Sequence, residues 1–326
     1  MKILRFFLIS SLLVSCSKNQ IVYKKLQGQA FGTTYSIIYE GQEQVDYKKS
    51  IDSIIEVMNQ SLSTYRSDSD ISKINSGDLE VIVDENFKEV FEKSRKIHTI
   101  TGGFFDPTVG TLVNAWGFGP KNSLAKMDSL QIDSLMHYVG FEKVSIDHSK
   151  VVKSNPNISF DFNAIAKGFG IDLIARFFEN HQIANYLIEV GGEIRCKGMS
   201  DKGQLWNAGI ESPNTDGSRS LLDVVSLSDE SMATSGNYRK FKIDSLGNKY
   251  VHTINPKTGW AVPSNLLSVS VIAKLDCADV DAYATTFMAM GKEQTLLFLG
   301  EHPELKAYLI YLNESGGFEG EKVNFD

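Results

Sequence analysis

A strand-to-helix junction is predicted at residues 161–168, which read Asp161-Phe162-Asn163-Ala164-Ile165-Ala166-Lys167-Gly168. The first N–H groups of a helix have no partner within the helix, so they point beyond its N-terminus and can bind an anion. Lys167 adds a positive charge one turn into this helix, and Gly168 allows another backbone to come close. The junction predicts a phosphate site, with Asp161 available for a sugar, a base edge or a metal. Because many α/β proteins begin a helix in this way, an ordinary connection is the alternative.

Hydrophobic periodicity predicts an α+β fold around this junction. Apolar residues recur at helical spacing in several segments, and Gly102-Gly103 ends one of them. The predicted helices cover residues 46–63, 84–100, 129–138, a segment running from the junction to about 180, 279–290 and 293–299. Residues 108–119 predict a packed loop, because aromatic side chains alternate with glycines there.

Alternating and apolar runs predict the strands. From residue 185 onward these runs are short and separated by turn residues, which is typical of an antiparallel sheet. The predicted strands cover residues 29–39, 143–146, 186–190, 193–197, 206–211, 222–227, 239–243, 249–254, 267–273 and 307–311. The chain has no long linker or repeat, so one main domain with an antiparallel sheet and packed helices is expected.

Composition bounds the class of protein. The chain has 326 residues, a net charge of −7 and 42% hydrophobic residues, as in an ordinary globular protein. No long basic run occurs, which argues against a nucleic-acid partner.

The N-terminus predicts export and a lipid anchor. Lys2 and Arg5 precede an apolar stretch over residues 6–14 that is too short to span a bilayer. Leu13-Val14-Ser15-Cys16 resembles a bacterial lipobox, in which the cysteine is lipidated. We expect a signal peptide at 1–15, a lipidated tether at 16–25 and a catalytic domain at 26–326, in a membrane-anchored lipoprotein facing the periplasm or cell exterior. A signal peptide cut elsewhere, with an incidental cysteine, is the alternative.

The other two cysteines, Cys196 and Cys277, lie in apolar surroundings. In an exported protein they could pair, or they could be buried free thiols. Neither they nor the scattered histidines have the spacing of zinc ligands.

Asp281 and Thr285 are four residues apart in a predicted helix, so both side chains lie on one face. A carboxylate, a hydroxyl and a carbonyl from another segment would suit Mg²⁺ or Ca²⁺ and no soft metal. The alternative is a surface carboxylate beside a threonine that bonds to its own helix.

Two further segments combine polar groups with turn residues. Thr234-Ser235-Gly236-Asn237-Tyr238 predicts either a decorated hairpin or a cradle for a phosphate or ribose. His252 stands at the start of a segment that ends in a Pro/Gly turn. It is either a half-buried strand histidine or, beside a metal site, the general base that activates a hydroxyl.

Taken in order, nine segments resemble the ApbE family of flavin transferases. They are Gly28-Gln29-Ala30-Phe31-Gly32-Thr33-Thr34-Tyr35, Leu62-Ser63-Thr64-Tyr65, Gly103-Phe104-Phe105-Asp106-Pro107-Thr108-Val109-Gly110, Trp116-Gly117-Phe118-Gly119, Ile165-Ala166-Lys167-Gly168, Val190-Gly191-Gly192-Glu193, Thr234 to Tyr238, His252 to Gly259 and Asp281 to Thr285. Each segment alone is weak evidence for the family, but the nine in this order are specific for it.

The resemblance implies a T-fold-like flavin transferase architecture and a Mg²⁺-dependent reaction. FMN would pass from FAD to a Ser or Thr hydroxyl of an acceptor protein, and AMP would leave. By position, the FAD pocket would be lined by Phe31, Tyr65, Phe104, Phe105 and Asp106. The nucleotide part would be held by Asp161 and Lys167, and Ile254 would pack against it. The metal would take the carbonyl of Ala164 with Asp281 and Thr285, and His252 would be the base, so that His252 and Asp281 carry the catalysis.

Two residues depart from the family pattern, and two other functions stay open. Phe31 stands where methionine is frequent, and Asn255 replaces a common aspartate, so no catalytic part is assigned to it. A metal-dependent FAD pyrophosphatase and a non-enzymatic flavin-binding lipoprotein are the alternatives. The sequence Ser-Gly-Ala-Thr, which resembles the family's acceptor motif, does not occur. We therefore expect another protein as acceptor, such as a membrane or exported electron-transfer subunit.

Overall fold

The computed structural model describes residues 21–78, 80–120, 127–214, 218–238, 241–243, 249–261 and 264–325. The expected signal peptide and Cys16 lie outside these residues. None of the helices in the described ranges has both the length and the apolar character that a membrane span requires.

An eight-stranded antiparallel sheet forms the centre of the fold. Its strands, in spatial order, are β1 (Ile21–Ala30), β2 (Thr33–Gln42), β5 (Tyr186–Val190), β6 (Glu193–Lys197), β9 (Ser231–Gly236), β12 (Leu266–Ala273), β13 (Lys306–Leu312) and β14 (Phe318–Val323). Three two-stranded ribbons pair β3 (Val144–Asp147) with β4 (Lys150–Lys153), β7 (Trp206–Glu211) with β8 (Leu221–Leu227), and β10 (Phe241–Ile243) with β11 (Lys249–Val251).

Helices pack against this sheet. They are α1 (Lys48–Leu62), α2 (Asp70–Asn75), α3 (Glu85–Ile100), α4 (Gly110–Ala115), α5 (Ser129–Met136), α6 (Ala166–Asn180), α7 (Cys277–Met290) and α8 (Lys292–Glu301). Helix α3 begins where Asp84 accepts a hydrogen bond from the N–H of Phe87, a cap that satisfies one unpaired donor. Helix α6 packs on β5 and β6, and α7 packs on β9 and β12.

The two helices that carry the candidate site meet at very short distance. A Cβ on Gly168 would lie 2.4 Å from the carbonyl oxygen of Cys277. Only glycine therefore lets the first turn of α6 rest on the backbone at the start of α7. This contact fixes the relative position of both helix N-termini.

The antiparallel α+β architecture in one domain is confirmed, and so are most helices and strands. The predicted strand over residues 29–39 was wrong as a single element, because a hairpin turn at Phe31-Gly32 separates β1 from β2. Both turn residues have positive φ, 51° and 77°, as a tight two-residue hairpin requires. Apolar alternation continues through such a short turn, so periodicity did not reveal it.

Four other local predictions need correction. The 161–168 junction is not preceded by a strand, since Ser159 makes only an isolated bridge to Val109. The loop predicted at 108–119 contains the short helix α4. Residues 234–236 end the central strand β9, not a hairpin, and His252 follows β11 instead of lying on it. Strands β4 and β14 and helix α2 were not predicted, because they are short or mostly polar.

Candidate active site

One cleft of about 720 Å³ brings the predicted site residues together. This volume is in the range of sites for small molecules and cofactors. The cleft is lined by every described residue that the sequence predicted to bind FAD or metal or to act in catalysis: Phe31, Tyr65, Phe104, Phe105, Asp106, Asp161, Ala164, Lys167, His252, Ile254, Asp281 and Thr285. These residues come from distant parts of the chain, so their convergence is a property of the fold.

Three residues that offer hard oxygen donors, Ala164, Asp281 and Thr285, line the cleft where α6 meets α7. Asp281 is buried on α7, and Thr285 lies one turn further along the same face. The N–H of Gly168 donates to Oδ2 of Asp281 at 3.2 Å. In a regular helix that N–H would bond to the carbonyl of Ala164, four residues back, but no such bond occurs among the described residues. The Ala164 carbonyl therefore keeps its lone pairs for another partner.

This donor set suits a hard divalent cation. Carboxylate, hydroxyl and carbonyl oxygens are the ligands of Mg²⁺ and Ca²⁺ in proteins. Thr285 Oγ1 lies 2.9 Å from Ser235 Oγ on β9, which holds the threonine side chain in place. In the described part of the chain, no group of three His, Cys, Asp or Glu side chains could hold a metal ion, so a cation here would need the hydroxyl and carbonyl oxygens as well as the carboxylate.

Lys167 lies between two buried carboxylates. Its Nζ is 2.6 Å from Glu193 Oε1 and 3.9 Å from Asp281 Oδ1. Burial opposes the charged form of Lys167, but Asp281 and Glu193 outweigh it and raise its pKa. Burial also raises the pKa of Glu193 to about 7, with Lys167 acting in the opposite direction. The same two causes act on Asp281, and burial prevails to raise its pKa.

Aromatic side chains form the walls of the cleft. Phe31 sits in the hairpin turn with a φ of 51°, a conformation that costs free energy for a residue with a side chain. Its ring lies against Gly170 of α6, where a Cβ would come within 2.6 Å of it. Tyr65 is 61% exposed, which places it at the mouth. Lys257 Nζ lies 4.9 Å from the centre of the Phe104 ring and donates to the carbonyl of Gly102.

Asp106 shapes the turn that carries Phe104 and Phe105. Its Oδ1 accepts hydrogen bonds from the N–H and the hydroxyl of Thr108. Its Oδ2 accepts from the N–H of Phe141 at 3.1 Å. Burial raises the pKa of Asp106, although these bonds and His98 oppose the rise. Its contacts explain how this carboxylate fixes two aromatic lining residues.

Asp161 is held where the chain approaches α6. Its N–H donates to the carbonyl of Pro107 at 2.8 Å, and its Oδ1 accepts from the N–H of Asn163 at 2.8 Å. The first bond joins the loop before α6 to the turn that follows Phe105, and the second closes a turn within that loop. The nucleotide contact that the resemblance implies for Asp161 stays a prediction.

His252 lies beside the cleft just after β11. Its ring centre is 6.5 Å from that of Phe118. The neighbouring Thr253 donates to the side chain of Asn237 at 2.9 Å. Asn255 donates to the carbonyl of Ala289 near the end of α7 and accepts from the N–H of Lys257. Asn255 therefore joins this turn to the end of α7.

Comparison with known proteins connects this geometry to a family. The family model described as "ApbE family" matches residues 31–309, most of the chain. The chain belongs to the ApbE family. An FAD:protein FMN transferase of Haemophilus influenzae is 33% identical over 317 residues, covering 93% of this chain and 90% of the relative.

Solved structures of the ApbE family share the fold. Flavin transferase ApbE from Vibrio cholerae has a TM-score of 0.81 at 31% identity, covering 93% of this chain and 98% of that chain. The apo form of the flavinyl transferase ApbE from Pseudomonas stutzeri has a TM-score of 0.81 at 27% identity, covering 93% of this chain and 95% of that chain.

Sequence reasoning missed the place of Glu193 in this ApbE-family site. Glu193 belongs to one of the nine matching segments, but nothing in its spacing connects it with Lys167, which lies on another element. The position of Glu193 could have indicated a buried ion pair. Glu193 follows Gly191-Gly192 at the start of a central strand, and a charged residue that is buried there must be paired. The two cysteines, in contrast, are free and buried, as one of the two alternatives expected.

Proposed function

We propose that this protein is an FAD:protein FMN transferase. It moves the FMN half of FAD onto a Ser or Thr hydroxyl of an acceptor protein and releases AMP. The observation that carries the proposal is the single cleft in which aromatic walls, the Lys167 ammonium, the Asp281–Thr285 face and His252 converge. Family membership and the names of the relatives support it.

The cleft offers a separate environment for each part of FAD. Phe31, Tyr65 and Phe104 provide aromatic surface for a flat ring. Lys167 has three N–H donors, and its side chain is 30% exposed, so it can reach a diphosphate oxygen while it stays paired with Glu193. Asp161 and Ile254 would contact the remainder of the nucleotide.

The Ala164 carbonyl, Asp281 and Thr285 would hold Mg²⁺. When bound, the ion would neutralise charge on the diphosphate, which repels an incoming oxygen nucleophile. Asp281 is well placed for this task because Gly168 binds only its Oδ2, and Oδ1 faces Lys167. The hard donor set favours Mg²⁺ or Ca²⁺ over softer metals, and we propose Mg²⁺ as the working ion.

His252 would take the proton of the acceptor hydroxyl. The acceptor oxygen then forms a bond to the phosphorus of the FMN half while the bond from that phosphorus to the bridging oxygen breaks. AMP leaves with the bridging oxygen. Positioned proton removal of this kind contributes a factor of roughly 10²–10⁴ in rate, and holding the hydroxyl in line contributes further.

We further propose that the protein is a lipoprotein, anchored through Cys16 and facing the periplasm or cell exterior. The basic start, the short apolar stretch and the lipobox-like Leu13-Val14-Ser15-Cys16 support this. An enzyme held there would act on membrane or exported acceptors, such as electron-transfer subunits that carry flavin.

The test is transfer to a purified flavin-bearing subunit from the same cell, with FAD and Mg²⁺. We expect flavin fluorescence to stay on the acceptor through denaturation, and mass spectrometry to find the mass of FMN on one Ser or Thr. FMN released into solution at the same rate with and without acceptor would point to a pyrophosphatase. Bound FAD with neither product would point to a flavin-storage protein.

A further inference from the structure

The Glu193–Lys167 ion pair lies next to the carboxylate that would bind the metal. Glu193 begins β6, which pairs with β5 and β9 in the middle of the sheet, so its backbone is rigidly held. Its side chain is 4% exposed. Among the described residues, Oε2 of Glu193 has no hydrogen-bond partner. Lys167 therefore supplies the neutralising contact for this buried carboxylate.

Lys167 has a second carboxylate within easy reach. Its Nζ is 2.6 Å from Glu193 Oε1 but 3.9 Å from Asp281 Oδ1. The four-carbon stem of lysine is flexible, so a small rotation would bring the ammonium into contact with Asp281. Because Asp281 Oδ2 already accepts from Gly168, Oδ1 is the oxygen for which Lys167 and a metal ion would compete.

We propose that Glu193 is a positioning residue that holds the Lys167 ammonium away from Asp281, so that Oδ1 of Asp281 stays available to a divalent cation and Lys167 stays directed at the diphosphate. This inference rests on the proposed function, because it concerns the same metal and the same substrate. The physical basis is the strength of a buried, charge-assisted pair, which Glu193 offers at the shorter distance.

The distinguishing variant keeps the charge of Glu193 and changes its reach. Glu193→Asp retains the carboxylate but withdraws it by one methylene, so Lys167 is released toward Asp281. Titration calorimetry of the metal-free protein with Mg²⁺ alone should then show binding about tenfold weaker than in the wild type. Adding Lys167→Met to Glu193→Asp should restore Mg²⁺ affinity to within about threefold of the wild type, because the competing ammonium is gone.

Glu230→Asp is the matched control. Glu230 is 4% exposed and pairs with Lys306 at 2.8 Å, but it does not line the cleft. The Glu230–Lys306 pair has the same residue types as the Glu193–Lys167 pair, and Glu230 is about as buried as Glu193. Shortening Glu230 should therefore cost a comparable amount of stability. The Mg²⁺ affinity of Glu230→Asp should match that of the wild type. Thermal unfolding of all variants checks that they are folded.

A second measurement follows Lys167 itself, with inorganic pyrophosphate and Mg²⁺ as the probe. Glu193→Asp should weaken pyrophosphate binding, and the added Lys167→Met should not restore it, since the ammonium that binds the anion is lost. A merely structural role for Glu193 would not separate the two ligands in this way.

The outcomes separate this inference from the proposed function. If Glu193→Asp binds Mg²⁺ as tightly as the wild type, or if the double variant shows no recovery, the positioning role is overturned while the transferase proposal stands. If the wild type binds no Mg²⁺, both are overturned. If the predicted Mg²⁺ pattern holds but no acceptor receives FMN, only the proposed function fails.

Discussion

The N–H of Gly168 donates to Oδ2 of Asp281 across 3.2 Å, so this one N–H in the first turn of α6 is bonded to α7, while the N–H groups of Ala166 and Phe169 bond to carbonyls four residues back. The same bond fixes one oxygen of the carboxylate and leaves the Ala164 carbonyl without its helical donor. A single backbone interaction therefore prepares two of the three proposed metal ligands.

Gly168→Ala should destabilise the protein by about 1–3 kcal/mol, because the new methyl group would meet the backbone of Cys277 and force the helices apart. Urea unfolding measures the effect. Gly300→Ala is the control: Gly300 is also helical, and a Cβ there would meet nothing within 4 Å, so this variant should gain about 0.5–1 kcal/mol. Equal stability of the two variants would contradict the close approach.

Asp281→Asn should weaken Mg²⁺ binding by at least the roughly 10–100-fold that loss of an outer-shell partner costs, because it removes the charged ligand itself. FAD binding measured without metal should change far less, and flavin transfer should be lost. Calorimetry measures the binding of Mg²⁺ and of FAD, and the transfer assay measures flavin transfer. Asp279→Asn changes a carboxylate of the same helix that instead pairs with Lys93 at 3.1 Å. If that control lost Mg²⁺ binding to the same extent, the assignment of Asp281 would be wrong.

His252→Ala should lower the rate of flavin transfer by roughly 10²–10⁴ while FAD and Mg²⁺ affinities stay close to those of the wild type. His137→Ala, at an exposed histidine just after α5, serves as control. Unchanged transfer in His252→Ala would remove this residue from the mechanism.

Glu193 should make the metal-free protein less stable as pH rises. Its pKa is raised to about 7 from an ordinary 4.5, so between these pH values the folded state binds more protons than the unfolded state. The free energy of unfolding then decreases from pH 4.5 to 7, and the contribution of Glu193 is constant above that range.

Glu193→Gln should reduce this decrease, measured by urea unfolding at pH 5 and pH 8. Glu230→Gln, which also loses a buried pair with a lysine, controls for the missing ion pair. A pH dependence in Glu193→Gln identical to that of the wild type would show that Glu193 is ionised across the range.

Cys16→Ser should move the protein from the membrane fraction to the soluble exported fraction, because the acyl chains that would hold it there have no attachment point. Fractionation with immunodetection follows the change. Ser17→Ala leaves the cysteine intact and should remain in the membrane. A Cys16→Ser protein that stayed membrane-bound would contradict the lipid anchor.

Much of the architecture was determined by local sequence. The helical period of Ile51, Ile55 and Met58 predicts α1, and Asp84 marks the start of α3, because burial of one face and a capped N-terminus are both encoded within a few residues. The Phe31-Gly32 turn was not recognised, because a two-residue turn does not interrupt the alternation of the strands beside it.

In the candidate site, too, some features were determined by the sequence and others only by the tertiary structure. The sequence alone determined which residue types are available, since a carboxylate and a hydroxyl four apart on a helix share a face whatever surrounds them, and the ordered segments identified the family. Only the tertiary structure decided that Glu193 of β6 meets Lys167 of α6 and that Gly168 bonds Asp281 of α7. Such contacts join segments far apart in the chain, and they depend on how closely two backbones pack, which no local pattern specifies.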